Sequence, residues 1–319
     1  MSDARNVFRR LTRAVRAGIP SVKLSMNEPH DQVQPPPQAE TTAPMPSHWF
    51  RSAALLDVRG LQVASAAHVD APRLVHGISL SITCGEVIGL VGDASSGALE
   101  VAQCIAGVLP APATIRSGSI LFNGVELVGL PPRSFSRLHD AKVAYLPRSP
   151  RDSLDPNMTV GTQLAAPLRS GGGLSKPAAY ERCLDLLGQA GIENPEHTFT
   201  AYPRDVSAIL AQRVHIANAL AGSPNLLVAD DPTDTLNASD SADILELLSK
   251  LQRKHKLTMI IVTGSVHVAA RICHRVAVVR TGAIVEYASV ADLCGSPKHP
   301  YTRELLHASE NESLGSPAL

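Results

Sequence analysis

The run Glu86-Val-Ile-Gly-Leu-Val-Gly-Asp-Ala-Ser-Ser-Gly-Ala-Leu-Glu100 decides how the rest of the chain is read. An apolar stretch ends at Gly92, Gly97 follows five residues later, and a helical pattern continues from there. Strand, turn and helix in that order, with glycines at that spacing, describe a phosphate loop of the form G-x-x-x-x-G-K-[ST], whose backbone amides wrap an anion at a helix N-terminus. Gly92, Asp93, Ala94, Ser95, Ser96 and Gly97 keep the length and the glycines. Ala98 stands at the lysine position and Leu99 at the Ser/Thr position, so both ligand-bearing side chains are missing. Taken alone, two glycines after a strand are more often an ordinary turn.

The order of segments further along reverses that reading. Asn225-Leu-Leu-Val-Ala-Asp230 is an apolar strand ending in an acid, the arrangement that holds a divalent cation beside a phosphate loop, and Asp231-Pro-Thr follows it. Val206-Ser-Ala-Ile-Leu-Ala-Gln-Arg213 opens a helix just upstream, and Leu257–Val262 supplies another buried strand. Short β-branched runs at 55–63, 75–82, 86–91, 119–122, 143–146, 225–229, 258–262, 275–279 and 284–287 predict strands, and 97–108, 176–190, 207–221, 238–254 and 266–271 predict helices. Early strands without long helices, then strands alternating with helices, predict an antiparallel flank on an α/β core. A mostly helical block from about 151 to 222 reads as a second lobe.

The 319 residues carry 29 Lys+Arg against 29 Asp+Glu. That neutrality gives no basic field for duplex DNA or RNA, and 3% aromatic residues leave few stacking platforms for single strands, so nucleic acid is not an expected partner. Hydrophobic residues at 44% supply a sizeable aliphatic core and exclude wholesale disorder. Cys84, Cys104, Cys183, Cys273 and Cys294 lie far apart without a C-x-x-C, and read as reduced, mostly buried thiols of a cytosolic protein. No run reaches the roughly 18 apolar residues of a spanning helix, so any membrane association goes through a partner or a surface helix.

Residues 1–26 differ from the rest. Arg5, Arg9, Arg10, Arg13 and Arg16 alternate with Phe8, Leu11, Val15 and Ile19, and Asp3 is the only acid. A helix lying on an anionic bilayer, an organellar presequence and a frayed basic tail all fit that pattern. Six prolines between Pro29 and Pro46 make residues 27–50 a linker. The globular part is expected at 51–308 and a disordered tail at 309–319.

On these features the chain resembles the ATP-binding subunits of ABC transporters, specifically the class that imports dipeptides, oligopeptides and nickel. The resemblance runs from about Leu55 to Ala308. Ser153-Leu-Asp-Pro-Asn-Met-Thr-Val-Gly161 is similar to that class's S-L-N-P-x-x-T-V-G, and Ser296-Pro-Lys-His-Pro-Tyr-Thr-Arg303 to its C-terminal N-P-x-H-P-Y-T-[RK]. Tyr202-Pro203, Gln212-Arg213 and Ala219–Pro224 also fit. The resemblance implies a P-loop NTPase-like ABC nucleotide-binding domain with an antiparallel β subdomain and an inserted α-helical subdomain. It also implies ATP and Mg²⁺ as ligands, and a head-to-tail pair of subunits in which each ATP lies between one P-loop and the other chain's signature helix.

Against that family, the departures fall on the chemistry. A hydrogen bond to a charged group is worth about 1.5–3 kcal/mol, so losing the lysine contact at Ala98 alone costs one to two orders of magnitude in affinity. Leu99 offers the metal no oxygen, and Ser95 replaces a usual glycine, which would cost on the order of 1–2 kcal/mol if the cradle needs positive φ there. Ser65 matches the adenine-stacking aromatic, Arg148 the Q-loop glutamine, and Gly264 the switch histidine; His267 lies three residues on and is expected to face elsewhere. Asp231 stands for the glutamate that orients the attacking water; it is about 1.5 Å shorter, and misplacements of about 1 Å already cost ~100-fold. In the signature position, Ser207 can cap a helix and Gln212 survives, but Ala208 and Ile209 replace glycines. Asp230 remains as a weak metal ligand or as a plain strand-end acid, and Thr235-Leu-Asn237 keeps part of the D-loop.

Seven departures together imply lost selection on hydrolysis, with ATP/Mg²⁺ binding weak or absent. The resemblance then implies a catalytically degenerate, non-catalytic half of a heterodimeric motor at the cytoplasmic face of the membrane. Its partners would be a second, intact ATP-binding subunit, two permease subunits whose coupling helix enters the groove around 148–170, and indirectly a substrate-binding protein. Two alternatives stay open: a weakly active ATPase energising peptide import, and a soluble regulator that kept the fold. No cysteine follows Cys294, so no iron–sulfur cluster is expected.

Overall fold

The computed structural model describes residues 54–68, 70–130, 142–170 and 173–314, with side chains through residue 308. The basic segment 1–26 and the linker 27–50 lie outside the described residues.

Strands β1 (Ala54–Ala64) and β2 (Arg73–Thr83) pair antiparallel. β3 (Val87–Val91) runs through the glycine turn into α1 (Ala98–Ala106). β4 (Thr114–Phe122) and β5 (Val125–Glu126) complete the first sheet in the order β2-β1-β4-β5. β6 (Val143–Leu146) begins a second sheet. Among the described residues, 150–221 hold only helices: α2 (Pro150–Ser153), α3 (Val160–Ser170), α4 (Lys176–Gln189), α5 (Pro195–Thr200), a short 3₁₀ turn, and α6 (Ala208–Ala221). The chain then alternates β7 (Leu226–Asp230), α7 (Ala238–His255), β8 (Thr258–Thr263), α8 (Val266–Ile272) and β9 (Arg275–Arg280), and closes with β10 (Ala283–Ser289), α9 (Val290–Gly295) and α10 (Pro300–Leu314).

The second sheet has the order β10-β9-β3-β8-β7-β6, parallel except for β10. Every residue of β3, β7 and β8 is buried, as expected for central parallel strands covered on both faces. Alternate side chains go to opposite cores. Val87, Leu227, Ala229, Met259 and Ile261 join the helical lobe, α7 and α8 in one cluster. Ile88, Leu90, Leu226, Val228, Ile260 and Val262 join the antiparallel sheet and α1 in the other. The period of two along each strand thus fixes which layer each apolar residue holds together.

The antiparallel flank, the parallel core and the interposed helices are as the pattern implied. β4 starts at Thr114, five residues before the apolar run, because the exposed residues 116–118 interrupt any alternation that could be read. α10 continues to Leu314, past the boundary set at 308; no glycine or proline interrupts the sequence until Gly315. Cys104, Cys183 and Cys273 are buried, whereas Cys84 and Cys294 are exposed.

Candidate functional site

Four strands of the parallel sheet lie side by side as β3, β8, β7 and β6. Their C-terminal ends deliver Gly92, Gly264, Asp231 and Arg148 in that order along one edge, where open α/β sheets place ligands. The sequence positions read as phosphate loop, switch, glutamate and Q-loop are thereby brought to one place. Ser207 and Gln212 are not on this edge; they belong to α6 in the helical lobe.

The loop keeps its glycines for packing. A Cβ on Gly92 would lie 2.3 Å from the Val279 carbonyl oxygen and 2.6 Å from the Ser96 Cβ. Gly97 holds φ at 90° to start α1, and a Cβ there would lie 2.4 Å from the Leu74 carbonyl oxygen. Ser96 is buried, and its hydroxyl accepts from the Ala98 N–H at 3.3 Å. Ala98 belongs to the core beneath the antiparallel sheet, and Leu99 packs against that same core. Ser95 is not among the described non-glycine residues with positive φ, so the left-handed cost considered for it is not incurred.

Asp93 and Ala94 are exposed at the loop's rim. The Asp93 carboxylate accepts from the Ser95 N–H at 2.8 Å and the Ser95 hydroxyl at 2.6 Å through Oδ1. Its Oδ2 accepts from the Tyr301 hydroxyl at 2.8 Å, and Tyr301 Oη in turn accepts from the Asp93 N–H at 3.1 Å. The Ser95 hydroxyl, with Tyr301 and Arg280 adding to it, holds the Asp93 carboxyl below its usual range against a modest burial penalty.

The acid end of the edge is also internally paired. Asp230 accepts from the Tyr145 hydroxyl at 2.9 Å, and burial raises its carboxyl despite that bond. Asp231 sits at φ 41°, a left-handed conformation that Asp tolerates better than most residues. Burial, with Asp234 nearby, pushes its carboxyl up to about 6, and the Thr263 hydroxyl reaches it at 3.3 Å. Arg148 donates from Nε to Asp234 Oδ2 at 2.9 Å and lies 3.9 Å from Asp231 Oδ2. Gly264 leaves room unused: among the described residues other than its chain neighbours, a Cβ there would have just the Gly92 carbonyl oxygen within 4 Å, at 3.7 Å. His267 is exposed. Ser65, at the aromatic position, uses its N–H to close the β1–β2 turn on the Pro72 carbonyl at 2.9 Å.

At the signature helix, Ser207 caps α6 and accepts from the Leu210 N–H at 3.2 Å. Ile209 packs against the lobe's core, and Gln212 is buried with no hydrogen-bond partner for its Nε2. Two bonds tie this helix to the segment after Arg148: Arg151 donates to the Val206 carbonyl, and buried His215 donates from Nε2 to the Pro150 carbonyl at 2.8 Å.

Sequence reading missed Tyr145, Asp234 and Arg280, and took Tyr301 only as a class marker. Tyr145 and Asp230 are 85 residues apart and Tyr301 and Asp93 are 208 apart, so no local spacing announces either pair.

These residues do not fit a metal–nucleotide. Position 98 gives no cation and position 99 no oxygen, the Ser95 amide is already bonded to a carboxylate, and the acids are already paired. Among the described residues, no group of three or more His, Cys, Asp or Glu side chains is placed to hold a metal ion.

A family model described as "ABC transporter" matches residues 75–234. The dipeptide transport ATP-binding protein DppD of Haemophilus influenzae is 36% identical over 255 residues, spanning 80% of this chain and 77% of that protein. The oligopeptide transport ATP-binding protein OppD of Bacillus subtilis is 35% identical over 258 residues, spanning 81% and 72%. Among solved structures, the dimeric ATP-binding cassette MJ0796 bound to ADP and Pi superposes with a TM-score of 0.66 at 22% identity, covering 74% of this chain and 98% of that one. At that identity the superposition speaks for the fold alone.

Proposed function

The chain belongs to the ABC transporter ATP-binding family, in the class of peptide importer subunits, and from that premise we propose that it serves as the non-catalytic half of a heterodimeric motor. The observation that supports this most is the edge itself: Ala98, Leu99, Arg148, Asp231 and Gly264 sit together where the family holds its nucleotide, and none supplies the family's chemistry. ATP and Mg²⁺ then bind this chain's own loop weakly or not at all.

Beside an intact partner, the site built on this chain's loop is inactive. The other site combines the partner's loop, glutamate and histidine with Ser207 at the start of α6, and residual turnover comes from there. The described residues include no helix long and apolar enough to cross a membrane. In this reading the chain lies on the cytoplasmic face, docked to two permease subunits through the groove around 148–170. The domain unit runs from about residue 51 through the end of α10 at Leu314, with the helical lobe at about 151–222.

Calorimetric titration of the purified chain with Mg-ATP tests the reading. No saturable binding is expected up to about 1 mM, and an affinity near 1 μM overturns it. A second reading, a weakly active ATPase, is favoured by the Asp231 carboxyl at about 6, a value suited to a base near neutral pH. Turnover that disappears in Asp231→Asn supports that alternative, and turnover unchanged by the substitution excludes it.

A further inference from the structure

We propose that the edge carries its own counter-ions: the Asp93 carboxylate takes a loop amide that a phosphate would use, and the Arg148 guanidinium neutralises the acids at the strand ends that would otherwise draw a divalent cation. This rests on the degenerate reading above and extends it, because it makes the block active. Restoring the missing ligands would not by itself restore binding.

The anion half is held by residues from three elements. Asp93 fills the Ser95 N–H and hydroxyl at 2.8 and 2.6 Å, and the Tyr301 hydroxyl of α10 grips its second oxygen at 2.8 Å. Arg280, at the end of β9, stacks its guanidinium 4.9 Å from the Tyr301 ring centroid and adds positive charge near Asp93. Glu100, in the first turn of α1, places a further acid at the positive end of that helix. A phosphate entering the loop meets fixed negative charge and finds the Ser95 amide occupied. The C-terminal helix is what holds that arrangement closed. Glu286 accepts from the N–H groups of Lys298 and His299, each at 2.9 Å, and His299 Nδ1 accepts from the Tyr301 N–H at 3.2 Å, which seats Tyr301 over the loop.

The cation half uses a different part of the chain. Arg148 bonds Asp234 and approaches Asp231, and its charge is felt by Asp230, whose own oxygen is bonded to Tyr145. One delocalised positive charge thus lies among three carboxylates. A divalent cation would have to displace it against like-charge repulsion.

The test uses the full chain and ATP, with and without Mg²⁺, in calorimetry. Ala98→Lys/Leu99→Ser restores two of the lost ligands, and adding Asp93→Ala and Arg148→Ala removes both counter-ions without supplying the glutamine that position 148 lacks. The fourfold variant is expected to bind ATP about tenfold or more tightly than the double variant, with the gain from Arg148→Ala appearing only when Mg²⁺ is present. Equal affinity of the two variants overturns the proposal. Micromolar Mg-ATP binding by the unaltered chain overturns the degenerate premise instead, so the two failures are distinct. Asp93 and Arg148 are exposed, so the single variants Asp93→Ala and Arg148→Ala keep the fold and give a second readout by hydrogen exchange. The Ser95 amide should exchange about tenfold faster in the first, and the amides of residues 231–236 faster in the second. Unchanged exchange in both overturns the proposal.

Discussion

The strand-end edge and the two segments similar to the importer class differ in what their residues do. On the edge, Ala98, Leu99, Arg148, Asp231 and Gly264 stand where the proposed reading expects lysine, hydroxyl, glutamine, glutamate and histidine. In and beside the class segments several residues have a local task. A Cβ on Gly161 would lie 2.3 Å from the Phe199 ring, Gln163 bonds the backbone of Asp155 and Met158, and Asp155 accepts from the Asn157 N–H at 2.9 Å. In the second segment, His299 and Tyr301 seat α10, held by Glu286 of β10. The two loop glycines side with the class segments, since packing alone demands them. On the proposed reading, a residue that serves the fold persists when its ligand role is gone, and a residue that served only the ligand does not.

That contrast can be broken by measurement. The largest expected effect is Gly161→Ala, which drives a methyl into Phe199 and should cost about 3 kcal/mol in denaturant titration, at least half of it recovered in Gly161→Ala/Phe199→Leu. Glu286→Ala leaves two backbone N–H groups without their acceptor and should cost about 2 kcal/mol, with faster exchange of the amides of residues 298–302. An acid titration of stability sharpens the same side. Burial pushes His215 down to about 4, so the folded chain binds fewer protons than the unfolded one between about pH 4 and 6.5. Stability from this group is complete above pH 6.5 and is lost as pH falls towards 4; His215→Gln should flatten that slope.

On the ligand edge the signs and sizes change. Asp231 is raised to about 6, so the folded chain prefers its protonated form. Its contribution is present at low pH and lost as pH rises through about 6. Asp231→Asn should therefore stabilise the chain by roughly 1–2 kcal/mol at pH 8 and have little effect at pH 4. The smallest effects belong to Asp93→Ala and Arg148→Ala, each within about 0.5–1 kcal/mol, because both groups are exposed and their pairings are screened by water. If either costs as much as Gly161→Ala, the division between ligand edge and fold fails.

Much of this was legible in order and spacing. Apolar runs of strand length, the glycine pair at 92 and 97, and the acid closing the 225–230 strand gave the layered α/β fold. The identities at 98, 99, 148, 231 and 264 located the edge and its losses. β5, α9 and the exposed half of β4 were not legible, since short or solvent-facing elements carry little periodicity. The pairings of Asp93 and Arg148 were hidden as well. Each was read as a motif position, one unremarked and one a missing glutamine, and nothing local says that one is bonded to Tyr301 and the other to Asp234.

The sequence by itself determined the fold class and the family, because those depend on local pattern and on residue type at fixed spacing. The tertiary structure alone decided that the edge is internally paired. Hydrogen bonds and ion pairs act over about 3–4 Å of space whatever their separation in the chain, and only the folded sheet brings Tyr301 to the loop and Arg148 to the acids.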